Sequence, residues 1–143
     1  MGVKEDFRQE LYDLLNDNVP LMAVVKAIVD VKPQATDSGD PALGPWVQFG
    51  RMDFLEDSTA TESGFDVFIR LHIWSTSLGE KETLAVQDLI YAALHRKDAS
   101  MTVTGYSVLI LDRVGSDVEE RDAQGWFHGV DEYRAVVHND SAD

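Results

Sequence analysis

The groups in this chain that can do acid–base or metal chemistry are four histidines, His72, His95, His128 and His138, and 26 Asp and Glu side chains. Imidazole titrates near neutral pH and ligates metals, and paired carboxylates serve general acid–base catalysis. Neither set is arranged for such work. No histidine has a second His or a Cys at the short spacing of a zinc site. His72, His95 and His138 read as surface or interface residues, and His128, which follows Trp126 and Phe127, as a packing or interface residue. Two carboxylate clusters stand out: Asp53, Glu56 and Asp57, and Glu119, Glu120 and Asp122. Both fall at strand ends or turns, where acidic residues are solvated, and neither follows the alternating Asp pattern of a calcium loop. Asp37-Ser38-Gly39-Asp40 has a turn composition. No glycine-rich loop precedes Lys-Ser/Thr, no G-x-G-x-x-G follows a strand, and no G-x-S-x-G elbow is present. With no cysteine in the chain, thiolate nucleophiles and disulfides are excluded. No catalytic residue, metal site or cofactor is therefore expected, and the protein does not read as an enzyme.

Charge points the same way. Twelve Lys and Arg against 26 Asp and Glu leave a formal net charge of −14. Nucleic-acid affinity comes largely from cations that displace phosphate counterions, so specific DNA binding is not expected. A wall this acidic suits a passage through which DNA slides without sticking. The length of 143 residues fits a single domain, 1–143, with a real core. No apolar run is long enough to span a bilayer, and Met1–Glu10 lacks the apolar stretch of a signal peptide, so no membrane association is expected.

The elements that must position these groups follow from periodicity. Phe7, Leu11, Leu14 and Leu15 share one face of a helix over Lys4–Asn18, with Pro20 closing it. Leu21–Val31 reads as an irregular or short-strand segment, and Lys32–Pro45, with three prolines, as a loop. Trp46–Leu55 predicts a strand with Trp46, Met52 and Phe54 on one face and Val47 and Phe49 on the other. Phe65–Trp74 alternates strictly: Phe65, Val67, Ile69, Leu71 and Ile73 on the core face, Asp66, Phe68, Arg70, His72 and Trp74 on the other. Ser77 and Glu80 have capping-box spacing for a helix to Arg96, with His95, Arg96 and Lys97 in its last turn. Ser107–Glu120 predicts a strand with Val108, Ile110 and Val114 on one face and Leu109 and Leu111 on the other. Arg121–Gly125 predicts a turn, Trp126–Val137 a last strand, and 138–143 a frayed tail. This order is that of an α+β domain: a mainly antiparallel sheet with two helices packed on one face.

The second face of the Phe65–Trp74 strand is too mixed for open solvent and too polar for a core. Aromatics interleaved with Arg suit a protein contact, so Phe68, Arg70, His72 and Trp74 are the candidate subunit interface. Asp37, Asp40 and Trp46 are the candidate partner-docking loop.

Four segments in order carry a family resemblance. They are Gly44-Pro45-Trp46-Val47-Gln48-Phe49-Gly50; the Gly64-led strand ending Ile73-Trp74-Ser75 with its Gly79-led helix; Ala93-Leu94; and Asp122-Ala123-Gln124-Gly125 followed by Trp126 to Arg134. This pattern resembles the small minor tail proteins of siphophages, which include tail-terminator and tail-completion proteins. Val25-Lys26-Ala27-Ile28 departs from it, standing where the family has a glycine-bearing turn. The resemblance implies a structural protein of a phage or of a gene-transfer-agent-like particle. It implies a homo-oligomer, a hexameric ring at the head-proximal end of the tail, made in the host cytoplasm. Such a ring caps the tube, ends its polymerisation, contacts the major tail-tube protein and joins it to the head-to-tail connector protein, with DNA passing through the lumen. A head-closure or neck adaptor, or another protein-binding module working through the Trp74 face, is the alternative.

Overall fold

A computed structural model describes residues 2–31, 44–56, 63–76, 80–119, 122 and 125–140. Helix α1 spans Val3–Asn16 and buries Phe7, Leu11 and Leu15 of the predicted stripe, while Leu14 is only partly buried. Each such burial stabilises by roughly 1.5–3 kcal/mol. Pro20 does not close this helix. The chain leaves it at Asp17, and the Asn18 side chain accepts the Leu21 N–H to cap a second turn, α2 (Val19–Met22), with Pro20 in its first turn. Proline is tolerated there because its missing N–H would have had no helical partner. A three-residue strand follows, β1 (Ala27–Val29).

Four long strands and one helix complete the fold: β2 (Trp46–Glu56), β3 (Gly64–Ser75), α3 (Lys81–Leu94), β4 (Tyr106–Glu119) and β5 (Phe127–Asn139). The sheet order is β1-β2-β3-β5-β4. The β1–β2 pair is parallel and the other three are antiparallel. The α+β architecture expected from the sequence is thus the one observed. β4 and β5 pair as a hairpin, but β5 enters the gap between β3 and β4 and leaves β4 at the sheet edge. α1 and α3 touch each other, and α3 packs on β3, β4 and β5. Between helices and sheet lies one core that includes Leu11, Leu71, Ile90, Leu111 and Tyr133.

Two strands differ from their predicted alternation, for one reason. β2 carries a bulge after Phe49: Phe49 faces Leu71 but Met52 faces Ile69, so Gly50 and Arg51 together stand opposite Arg70. An extra residue in one strand reverses the parity beyond it. Val47 and Phe49, then Met52 and Phe54, therefore pack on the core, while Trp46 lies with Gln48 on the other face. β4 has two such shifts, one between Val108 and Ile110 and one between Arg113 and Gly115. Val108 and Leu111 are its buried residues, whereas Leu109, Ile110 and Val114 are exposed.

The ends differ too. Glu80 is the N-cap residue of α3 without a side-chain cap bond, and Ser77 lies outside the described residues. The helix stops at Leu94, so His95, Arg96 and Lys97 follow it. Arg96 turns the chain with φ +60° and its N–H donates to the Leu111 carbonyl. Just before β4, Val103 forms an isolated bridge to Tyr106. β5 runs through Asn139, two residues into the segment read as a frayed tail, because Gly64 and Tyr106 give His138 and Asn139 partners in the ladder.

Candidate interface on the open sheet face

The sheet face away from the helices is built from the even-numbered residues of β3 and β5. The register sets Arg70 beside Glu132, Phe68 beside Arg134, and Trp74 beside His128. The middle of this face is a lattice of ion pairs. Arg134 Nη2 donates to Asp66 Oδ1 at 3.0 Å, Arg51 Nε donates to Asp53 Oδ1 at 2.8 Å, and Arg70 Nη2 lies 3.9 Å from Glu132 Oε2. Arg51, Asp53, Phe68, Arg70 and Glu132 surround a depression of only about 30 Å³. A dimple that small holds no metabolite; around it, charges of alternating sign surround the half-buried Phe68.

One end of the face is aromatic. The Trp74 and His128 rings stack with centroids 4.0 Å apart and planes 3° from parallel, and Trp126 meets Trp74 edge-on at 6.2 Å. The Trp74 indole N–H donates to Gln48 Oε1 at 2.7 Å. His72 Nδ1 is 2.6 Å from His128 Nε2, and His128 Nδ1 is 2.9 Å from Glu119 Oε2. A carboxylate only accepts, so His128 donates from Nδ1 to Glu119; while that ring is neutral, its Nε2 is the acceptor facing His72. His72 Nδ1–H is then the donor, and the network runs His72 to His128 to Glu119. Burial, then the neighbouring His128, hold the His72 imidazole below its usual pKa.

The β2 bulge makes room for this network. A Cβ on Gly50 would lie 2.5 Å from His72 Nε2 and 2.9 Å from the Arg70 carbonyl, so only glycine lets the imidazole lie against the β2 backbone.

The four residues proposed from sequence as a subunit interface thus share one strand and one face. Arg70 is exposed, Phe68 and His72 are half-buried, and Trp74 is 9% exposed. Trp46 pairs with Trp74 across β2 and β3. Asp37 and Asp40 of the proposed docking loop, like Asp57 and Glu120, lie outside the described residues. Among the described carboxylates of the two clusters, Asp53 pairs with Arg51, Glu119 with His128, and Asp122 Oδ1 accepts the Trp126 N–H at 2.9 Å. That bond holds the turn into β5, where Gly125 supplies φ +90°. Among the described residues no group of three or more His, Asp or Glu is placed to hold a metal ion.

Sequence reasoning missed the partners His128, Glu119 and Gln48. The usable signal was that His72 and His128 both fall on outward positions of period-two strands. It also missed a polar layer on the helix side. There Asp131 is fully buried and its Oδ1 accepts the Ser116 hydroxyl at 2.6 Å. Burial pushes the Asp131 carboxyl up to about 6, and burial together with Asp131 pushes the Tyr133 phenol up as well. Gln87 of α3 reaches β4 here, donating to the Asp117 carbonyl at 2.9 Å. Gly129 leaves the space that Gln87 and Thr83 fill.

The described part of the open face is thus broad, charged and aromatic, and its depression is too small for a metabolite. Comparison with protein families gives the protein's kind. Residues 9–138 match the family described as tail completion protein gp17. The chain belongs to that family. A tail completion protein is a structural component of a phage-type virion, located in the tail. No curated protein matches the chain. Among solved structures, the fold of this tail completion protein is similar to a chain in the "Virion of native gene transfer agent (GTA) particle". The TM-score is 0.80 at 18% identity, covering 96% of this chain and 98% of that one.

Proposed function

We propose that this tail completion protein forms a homo-oligomeric ring, a hexamer by family resemblance, at the head-proximal end of the tail. The ring caps the tube, ends its polymerisation and joins it to the head connector. The observation that carries this reading is the agreement between a tail completion family match over residues 9–138 and an end-to-end fold likeness to one chain of an assembled particle. The open face supports it. Phe68, Arg70 and His72 stand in a row on β3, backed by the Trp74–His128 stack, and offer a rigid, wide contact for a tube or connector subunit. The net charge of −14 suits a lumen that DNA crosses without specific binding. No step of this function calls for catalysis or a cofactor.

The test is assembly. The protein is added to polymerising tail-tube subunits of the same particle, and tube length is followed by electron microscopy. Tubes of limited length, each with a ring at one end, are expected. Uncontrolled growth with the protein present rejects the capping role.

A further inference from the structure

A ring needs two different patches on opposite sides of one subunit, because a head-to-tail contact closes only by rotation from copy to copy. The exposed apolar side chains of this protein are distributed in that way. β1 and β4 are the two opposite edges of one sheet. On β4, each register shift leaves one residue without a partner across the ladder: Leu109 between Val108 and Ile110, and Val114 between Arg113 and Gly115. Both are hydrophobic, and they are 55% and 54% exposed. Bulges commonly serve to re-aim a side chain at a strand edge. On the other side, Val24 and Val31 flank β1 in the chain at 43% and 69% exposed, and Val19 on the preceding turn is 77% exposed.

Each edge carries both signs of charge: Lys26 and Asp30 flank β1, and Asp112, Arg113 and Asp117 lie along β4. Among the described residues no further strand pairs with the outer side of β1 or β4, and an open strand edge is a template that natural sheets either cover or use.

We infer that the β4 edge of one copy, led by Leu109 and Val114, docks on the β1 edge of the next, so that the sheet continues from subunit to subunit around the ring. The inference rests on the ring reading above and adds where the copies meet. The open face between the two edges then remains available for the tube or the connector.

The cysteine-free sequence allows a direct test. Two single-cysteine proteins, Val31→Cys and Val114→Cys, are assembled on tail tubes with a short bismaleimide linker. Covalent dimers are expected in the mixture and in neither protein alone. The doubly substituted protein is expected to give a ladder that ends at a closed ring. Dimers of Val114→Cys by itself signal a symmetric contact and overturn the head-to-tail docking, as does linkage to the tube subunit in place of a second copy. A second arm uses Leu109→Asp and Val114→Asp, exposed changes that leave folding intact by circular dichroism, with loss of ring formation expected. If wild-type rings form and both variants still form them, this docking is wrong while the ring stands. If the wild type makes no ring on tubes, the ring reading falls and takes this inference with it.

Discussion

His72 and His128, 56 positions apart in the chain, share one hydrogen bond at 2.6 Å on the open face of the sheet. The bond requires one donor and one acceptor; with Glu119 holding a proton on His128 Nδ1, His72 Nδ1–H is the donor as long as His128 is neutral. A second proton on the pair removes the acceptor and sets two cations side by side, as the lowered His72 pKa reflects.

A histidine lowered below its unfolded value of about 6.5 contributes stability that is present above that pH and lost as pH falls through the folded value. Imidazole NMR is therefore expected to show His72 titrating below 6.5. His128→Phe keeps a ring against Trp74 but removes the charge coupling, so the His72 midpoint moves upward part of the way, with burial still holding it down. A midpoint at or above 6.5 in the wild type contradicts the network.

Gly50→Ala places a methyl where His72 Nε2 and the Arg70 carbonyl already stand. Overpacking of this kind costs roughly 1–3 kcal/mol, measurable by urea unfolding. The imidazole resonances of His72 and His128 are expected to shift together. Unchanged resonances and unchanged stability would show that the bulge tolerates a side chain.

Asp131 works in the opposite pH direction from His72. A carboxyl raised to about 6 gives stability that is complete below its unfolded value of 3.8 and lost as pH rises through about 6. Near pH 7.5 the buried charge is a cost. Asp131→Asn keeps an oxygen for the Ser116 hydroxyl and removes that charge, so it is expected to stabilise by roughly 1–3 kcal/mol at pH 7.5 and by little at pH 4.5. Equal effects at both pH values, read from denaturant midpoints, would refute the assignment.

Arg70→Glu separates folding from assembly. The Arg70–Glu132 contact is long and exposed, and such pairs contribute about 0–1 kcal/mol. The variant is expected to fold at near wild-type stability and to lose its hold on tail tubes in co-sedimentation. Trp74→Ala, by contrast, empties a buried site and is expected to lower stability by about 3–5 kcal/mol. If Arg70→Glu leaves tube binding intact, the open face is not the docking surface.

Some of this protein was determined by local pattern alone. The Phe7–Leu11–Leu15 stripe and the strict alternation of Phe65–Ile73 are periodicities of one segment, and burial followed them. The absence of cysteine and of nucleotide or nucleophile motifs, and the ordered weak motifs from Gly44 to Arg134, are also properties of the string. What tertiary structure alone decided is relational. A bulge adds a residue relative to a partner strand, so Met52 and Phe54 change faces, and Leu109 and Val114 lose their partners, with no mark in local composition. The same holds for β5 entering between β3 and β4. That placement brings His128 to His72 and leaves β4 as an edge, because adjacency in a sheet is set by hydrogen bonds between segments far apart in the chain, which periodicity within a segment does not encode.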